Sequence, residues 1–288
     1  MKRAYGKYIA GLLLFGLNGI VSSKILLSSY DIVFFRTLFG GLFLSLLCLL
    51  SMEKRRFTDF PKQFAAVILS GISMGLSWIF LYKAYQRIGV ALSSVTYYCG
   101  PVIVMLLTPF LFHKKITRRQ IFCFVIVFAG ILFVSVPDLT GSTAMDSLGL
   151  FYGFASAVVH ALMVIFTMKA PDLTRLKNAA IQLVVSFLTV AVFVLAGHPL
   201  TMPAGSSQWF WILFLGIVNT GIGCYLYFSD IAKLPITSVS ILGYLEPLSA
   251  VVFSFLLLHE SFSLPETLGA ALILAGALLS EWTGTCRN

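Results

Sequence analysis

Acidic side chains are scarce in this sequence. Asp and Glu number 11 against 20 Lys and Arg, and charged residues make up 11% of the 288 positions. A soluble domain carries about 25% charged residues, so that class is excluded. No polar connection is long enough to hold a separate soluble domain. Histidine is scarce, with 4 in all, and Cys48, Cys99, Cys123, Cys224 and Cys286 are scattered without a C-x-x-C pair. That pattern excludes a disulfide framework and a zinc site, and leaves the cysteines as small packing residues. No metal and no other cofactor is expected.

Apolar residues fill the space that charge leaves. They are 59% of the chain, and the mean hydropathy is +0.95. The composition predicts an all-α integral membrane protein. Hydropathy gives ten transmembrane helices, at 7–27, 31–51, 64–86, 91–112, 119–136, 147–168, 176–196, 207–229, 236–258 and 264–282. The opening MKRAYGKYIAGLLLFGLNGIV has the basic flank of a signal peptide but no A-x-A cleavage site, and is read as a retained first helix.

A net charge of +9 would raise nucleic acid as a partner in a soluble protein, but here the cations sit between apolar runs and report topology. With the N-terminus inside, the inner segments hold Lys2, Arg3, Lys7, Lys54, Arg55, Arg56, Lys62, Lys114, Lys115, Arg118, Arg119, Lys169, Arg175, Lys177, Lys233 and Arg287, sixteen in all. The outer segments hold only Lys24 and Arg87, and Arg36 and Lys83 fall inside spans. One missed or extra helix would scramble this bias, so both termini are expected on the cytoplasmic side.

Glu246 is the only acidic side chain deep inside a long apolar run. A carboxylate there costs roughly 2.5–3.5 kcal/mol on insertion scales, so it is expected to face a polar cavity or a partner rather than lipid. Pro247 follows it and removes one helical hydrogen bond. This stretch has a twin. Setting Pro101 against Pro247, an offset of 146, aligns residues 71–135 with 217–281 without a gap. Matches fall at Gly75/Gly221, Tyr98/Tyr244, His113/His259 and Ala129-Gly130/Ala275-Gly276, while Gly100 stands where Glu246 does. Five helices per copy is an odd number, so the copies are expected to be inverted-topology five-helix repeats, 1–140 and 141–288, divided at the polar turn from Pro137 to Asp146. Gly71-x-x-x-Gly75 and Gly149-x-x-x-Gly153 are expected to bring helices close, inside one subunit before a dimer interface.

The sequence resembles the drug/metabolite transporter superfamily, in its ten-helix EamA-type branch. The resemblance rests on Gly16-x-Asn18, Arg36, Ala91 to Pro101, Gly221 to Phe228, Leu245-Glu246-Pro247, Leu258 to Ser261 and Leu268 to Ser280. It implies secondary transport of a small metabolite by alternating access through a central cavity, without ATP hydrolysis, and the chain has no G-x-x-x-x-G-K-[ST] loop. Members often carry an acid after the fourth span, where this chain has His113-Lys114-Lys115.

Within that frame Glu246 is expected to carry a proton or meet a cationic group, against the plainer role of a packing carboxyl. His160, mid-depth in the sixth span, either lines the cavity or is a hydrogen-bonded packing residue. Arg36 and Lys83 are shallow enough to snorkel, with gating or carboxylate attraction as the alternatives. Trp78, Tyr82, Tyr98 and Tyr244 lead an aromatic cluster with Tyr85, Tyr97, Tyr225 and Tyr227, suited to planar rings or a cationic ammonium. Asn18, Asn219 and Thr220 add neutral hydrogen bonds. Pro101 and Pro247 are the expected hinges of coupling. Trp209, Trp211 and Trp282 are expected in the interfacial belt.

The expected activity is secondary transport of a small polar organic metabolite, an amino acid or related compound, coupled to protons through Glu246. The alternative within transport is a choline-like or lipophilic organic cation in an aromatic cage. A remote alternative is an integral-membrane enzyme, for which His259, Glu260 and Glu266 form the nearest and thin cluster. The expected partners are the small-molecule substrate, protons and membrane lipid, with no nucleic acid, in a monomer or homodimer. The expected location is the bacterial cytoplasmic membrane.

Overall fold

The computed structural model describes residues 2–50, 61–112, 116–139, 146–171, 175–197, 199–258 and 264–282. The described residues are mostly helical and contain no strand. In order come α1 (Lys2–Gly16), α2 (Asn18–Ser22), α3 (Ser29–Leu50), α4 (Pro61–Tyr97), α5 (Gly100–Phe112), α6 (Arg118–Leu139), α7 (Ser147–Met168) and α8 (Arg175–Gly197). They continue with α9 (Gly205–Phe214), a π-helical segment (Leu215–Ile222), α10 (Gly223–Phe228), a 3₁₀ turn (Ile231–Lys233), α11 (Ile236–Leu242), α12 (Leu245–Leu258) and α13 (Leu264–Trp282). Among the described residues six stretches are long and apolar enough to cross a membrane: Lys2–Ser22, Ser29–Leu50, Pro61–Ile88, Ser147–Met168, Leu176–Gly197 and Gly205–Lys233.

Large apolar side chains point outward along these helices, among them Leu49 at 84% exposure, Phe110 at 77% and Val192 at 74%. A surface of this kind suits hydrocarbon and not water.

The helix ends differ from hydropathy in instructive ways. A connection near residue 88 was the sequence expectation, yet α4 runs on to Tyr97. Arg87 to Thr96 contains no proline, and a helix is the conformation that satisfies every backbone group without water. The break comes instead at Tyr98-Cys99, immediately before Gly100-Pro101. The ninth apolar run breaks likewise at Gly243-Tyr244, before Glu246-Pro247. A proline has no N–H and disfavours helical conformation in the residue before it, so the bonding tightens ahead of each one. Cys99 N–H donates to Thr96 O at 3.2 Å, and Glu246 N–H to Gly243 O at 3.2 Å, three residues back instead of four. The first run is interrupted in the same manner at Leu17, whose N–H donates to Leu14 O at 3.1 Å. Pro137 lies inside α6, not in a turn. The division expected at residue 140, and the residues His113 to Lys115, His259 and Glu260, lie outside the described residues.

Packing is close where glycines fall. A Cβ at Gly71 would stand 2.7 Å from Gln182 O, and one at Gly75 would stand 2.9 Å from Ser186 O, so α4 lies almost backbone to backbone against α8 of the same chain. Gly149 and Gly153 of α7 face Arg87, Ile88 and Thr96 of α4. A buried polar cluster joins these three helices. Ser70 Oγ donates to Gln182 Oε1 at 2.6 Å and lies 2.8 Å from Thr167 Oγ1, and Gln182 Nε2 donates to Asn178 Oδ1 at 2.7 Å. Elsewhere α6 packs on α13, α3 on α8 and the π segment, and α1 on α10 and α12.

Candidate functional site

The three helix interruptions converge on one cavity of about 620 Å³. Gly16 and Asn18 reach it from the break in α1/α2, Tyr97 and Tyr98 from the α4/α5 break, and Glu246 and Ala250 from the start of α12. Arg36, Trp78, Tyr82, Tyr85, His160, Cys224 and Tyr227 complete most of the wall. Irregular backbone at mid-depth is tolerated where it lines a cavity, which is where these breaks fall.

Arg36 does not reach the surface. It is 6% exposed, its Nε donates to Thr220 Oγ1 at 3.0 Å, and its guanidinium carbon lies 4.8 Å from the centre of the Trp78 ring. The π segment supplies the acceptor: Thr220 Oγ1 itself donates to Leu215 O, five residues back, at 2.8 Å. Among the described residues no carboxylate lies within ion-pair distance of Arg36, and its two terminal nitrogens have no hydrogen-bond partner. Glu246, half-buried, likewise has no side-chain hydrogen bond or ion pair among the described residues. The cavity therefore presents one guanidinium and one carboxyl that the protein itself does not pair.

His160 sits over Gly100, where an added Cβ would meet its Cδ2 at 3.1 Å. Its Nδ1 lies 2.8 Å from Tyr97 Oη, and the two rings meet edge to face at 4.9 Å. Gly100 aligns with Glu246 in the repeat, so the room left by the missing side chain is filled by an imidazole.

The remaining candidates fall around the cavity without lining it. Tyr244 is fully buried and donates its hydroxyl to Tyr98 O at 3.0 Å, joining the two helix breaks. Asn219 is also fully buried; its Nδ2 donates to Leu14 O at 3.1 Å and Asn18 Oδ1 at 3.2 Å, bracing the α1 break. Lys83 Nζ lies over the rings of Phe193 at 4.7 Å and Tyr152 at 5.2 Å. Pro101 and Pro247 stand in the first turns of α5 and α12, where a proline costs no helical bond. Trp209 is held between α9 and α3 by Phe35 and Phe39, each at 6.2 Å.

The two ends of the cavity differ. Ser22, Ser23, Ile25, Leu27 and Ser29 line it toward the end that carries Lys24. At the other end the N-terminal half of α1 is tied to the segment between α10 and α11. Lys7 Nζ bonds Asp230 Oδ2 at 2.9 Å, and Lys233 Nζ bonds Asp230 Oδ1 at 2.7 Å. Tyr5 Oη donates to Ser238 Oγ at 3.2 Å and Tyr8 Oη to Val239 O at 2.9 Å. The Tyr8 and Tyr227 rings pack at 4.9 Å beneath the cavity floor. The sequence places Lys7 and Lys233 only among the inner-segment cations. Lys7 and Asp230 are 223 residues apart, and no spacing rule joins them.

Comparison with known proteins agrees with this architecture. A solved structure titled "Crystal structure of protein" superposes with a TM-score of 0.83 over 96% of this chain and 98% of that one, at 17% identity, and so shares the fold. An "uncharacterized transporter YxxF" of Bacillus subtilis is 25% identical over 277 residues, 95% of this chain and 88% of the relative. An "uncharacterized transporter" of Archaeoglobus fulgidus is 23% identical over 198 residues, 68% of this chain and 69% of the relative. The model of the EamA-like transporter family matches twice, at residues 4–136 and again at 147–282. With both halves matched and a shared cavity between broken helices, the chain belongs to the EamA-like transporter family.

Proposed function

We propose that the chain moves a small polar organic solute, an amino acid or a related metabolite, across the cytoplasmic membrane by alternating access. The observation that carries this reading is the cavity's unequal closure: hydroxyl-lined toward the Lys24 end, and tied shut by Lys7, Asp230, Lys233, Tyr5 and Tyr8 at the other. On the positive-inside assignment the tied end is cytoplasmic, and the state described is outward-facing.

The chain is read as ten spans in two inverted five-helix repeats. The paired breaks ahead of Pro101 and Pro247 support this, as does the contact between Tyr98 and Tyr244, which are 146 residues apart, the repeat offset itself. Exchange of conformations between such halves opens the opposite face. Glu246, at a helix break inside the cavity, is the residue proposed to exchange protons during the cycle.

An organic cation in an aromatic cage fits the tyrosines and Glu246, but the Trp78 face is already taken by Arg36. We therefore place the cationic cargo second. The test is counterflow of labelled amino acids and of choline in liposomes holding the purified protein. Saturable exchange of an amino acid that Glu246→Gln deprives of its pH dependence is the expected result. Exchange of choline alone would reverse the order, and no exchange of any solute in the two classes would remove the reading.

A further inference from the structure

Arg36 is buried, and among the described residues no carboxylate lies within ion-pair distance of it; Glu246 acts on it only from across the shared cavity. Lys7 and Lys233 share Asp230, and Arg87 bonds Asp146 at 2.7 Å. An arginine that is 6% exposed has given up most of its hydration, and a hydroxyl and an indole face replace only part of it. Its Nε is fixed by Thr220 Oγ1 and its plane by Trp78, so the fork of terminal nitrogens is held in one orientation on the cavity wall. A fork prepared in this way matches the two oxygens of a planar carboxylate.

From this we infer that Arg36 is the anchor for a carboxylate group of the transported solute, with Trp78 and Thr220 as its positioning residues. The inference rests on the reading of the cavity as the solute site and adds the charge class of the cargo. Charge balance narrows it. The cavity's charged lining is one guanidinium and one carboxyl, so a solute bearing one carboxylate and one ammonium is complementary, the carboxylate meeting Arg36 and the ammonium Glu246, and a phosphate dianion would add charge that neither compensates. Shape agrees, since the cavity of about 620 Å³ holds a solute with a planar or apolar side group among Trp78, Tyr82, Tyr97 and Tyr98.

The experiment uses three probes that share a phenyl ring on the purified full-length protein: benzoate, benzylamine and phenyl phosphate, at matched ionic strength. Benzoate is expected to raise the melting temperature by about 2 °C or more at saturation. Arg36→Gln is expected to weaken benzoate about 10-fold or more, as loss of a charge-assisted pair does. Arg36→Lys should recover only part, because the charge returns without the fork. Should Arg36→Gln fail to fold, Trp78→Leu tests the same geometry and is expected to weaken benzoate several-fold through loss of the stacking face. Benzoate binding unchanged in Arg36→Gln, phenyl phosphate binding better than benzoate, or no stabilisation by benzoate would each overturn the inference, while benzylamine, which Glu246 can take, should be insensitive to Arg36→Gln. Benzoate binding that depends on Arg36 in a protein without flux in liposomes would instead keep this site and remove the transport reading.

Discussion

Replacing Lys7 with Met should open the sealed end of the cavity. The side chains of Lys7 and Asp230 are 13% and 5% exposed, so their 2.9 Å bond is a partly buried charge-assisted one. Such bonds contribute roughly 1.5–3 kcal/mol. Lys233 makes the other bond to Asp230 but is itself 53% exposed, and a screened pair of that kind contributes about 0–1 kcal/mol. If the sealed state loses about 1.5 kcal/mol while the opposite state loses nothing, the population open at this end rises about 10-fold or more. Lys233→Met should raise it about 5-fold at most. A cysteine placed at Ala250, a partly exposed position on the cavity wall, reports on it. In a variant carrying that cysteine alone, the rate of modification by a membrane-impermeant maleimide applied to the side bearing the N-terminus should follow the two populations. A rate in Lys7→Met within about twofold of the parent, or a larger effect from Lys233→Met, would refute the assignment of the seal to the Lys7–Asp230 pair.

Three further outcomes follow from the packing and the caps. Asp146 caps α7, accepting from Leu148 N–H at 2.9 Å, and the Arg87 guanidinium bonded to it, helped by these backbone N–H groups, holds its carboxyl below the ordinary value near 3.8. Its contribution to stability is thus present above about pH 4 and lost as pH falls through the lowered value, and melting curves between pH 2 and 5 should show Arg87→Gln losing it at higher pH than the parent. Gly71→Val should lower the melting temperature by several degrees, because overpacking at a 2.7 Å approach to Gln182 O costs about 1–3 kcal/mol; an unchanged melting temperature would count against the close α4–α8 contact. Tyr244→Phe should cost about 1 kcal/mol in thermal unfolding while leaving benzoate affinity unchanged, since the hydroxyl bonds Tyr98 O and lies off the cavity wall; a large loss of affinity would put Tyr244 among the solute contacts.

Hydropathy made the apolar helices legible, because a helix in hydrocarbon needs little beyond length and apolar side chains. The places where helices break were half legible. Pro101 and Pro247 announced them, but the break falls two to four residues earlier, at Tyr98-Cys99 and Gly243-Tyr244, where the bonding shifts to three residues back. The π segment from Leu215 to Ile222 was not legible, since no composition separates it from an α-helix. That is why the partner of Arg36 could not be foreseen: Thr220 is 184 residues away and its hydroxyl is turned by that segment. Ten of the candidates named from sequence, Asn18, Arg36, Trp78, Tyr82, Tyr85, Tyr97, Tyr98, His160, Tyr227 and Glu246, line one cavity. Tyr244 and Asn219 carried the same residue-type signal, but only the fold distinguishes a hydroxyl or amide facing a cavity from one bonded behind its wall.

The bond from Tyr244 Oη to Tyr98 O runs in one direction between residues that the proposed repeat makes equivalent, 146 positions apart. Two equivalent tyrosines at one contact cannot both donate into each other's carbonyl unless the breaks are arranged alike, and here one ring is fully buried while the other faces the cavity. The contact therefore has a polarity, like an arrow drawn on an otherwise symmetrical object. An exchange of roles between the halves would reverse the arrow, with Tyr98 donating to Tyr244 O and Tyr244 turned toward the cavity. The two phenols would then serve as a one-bit record of which face is open.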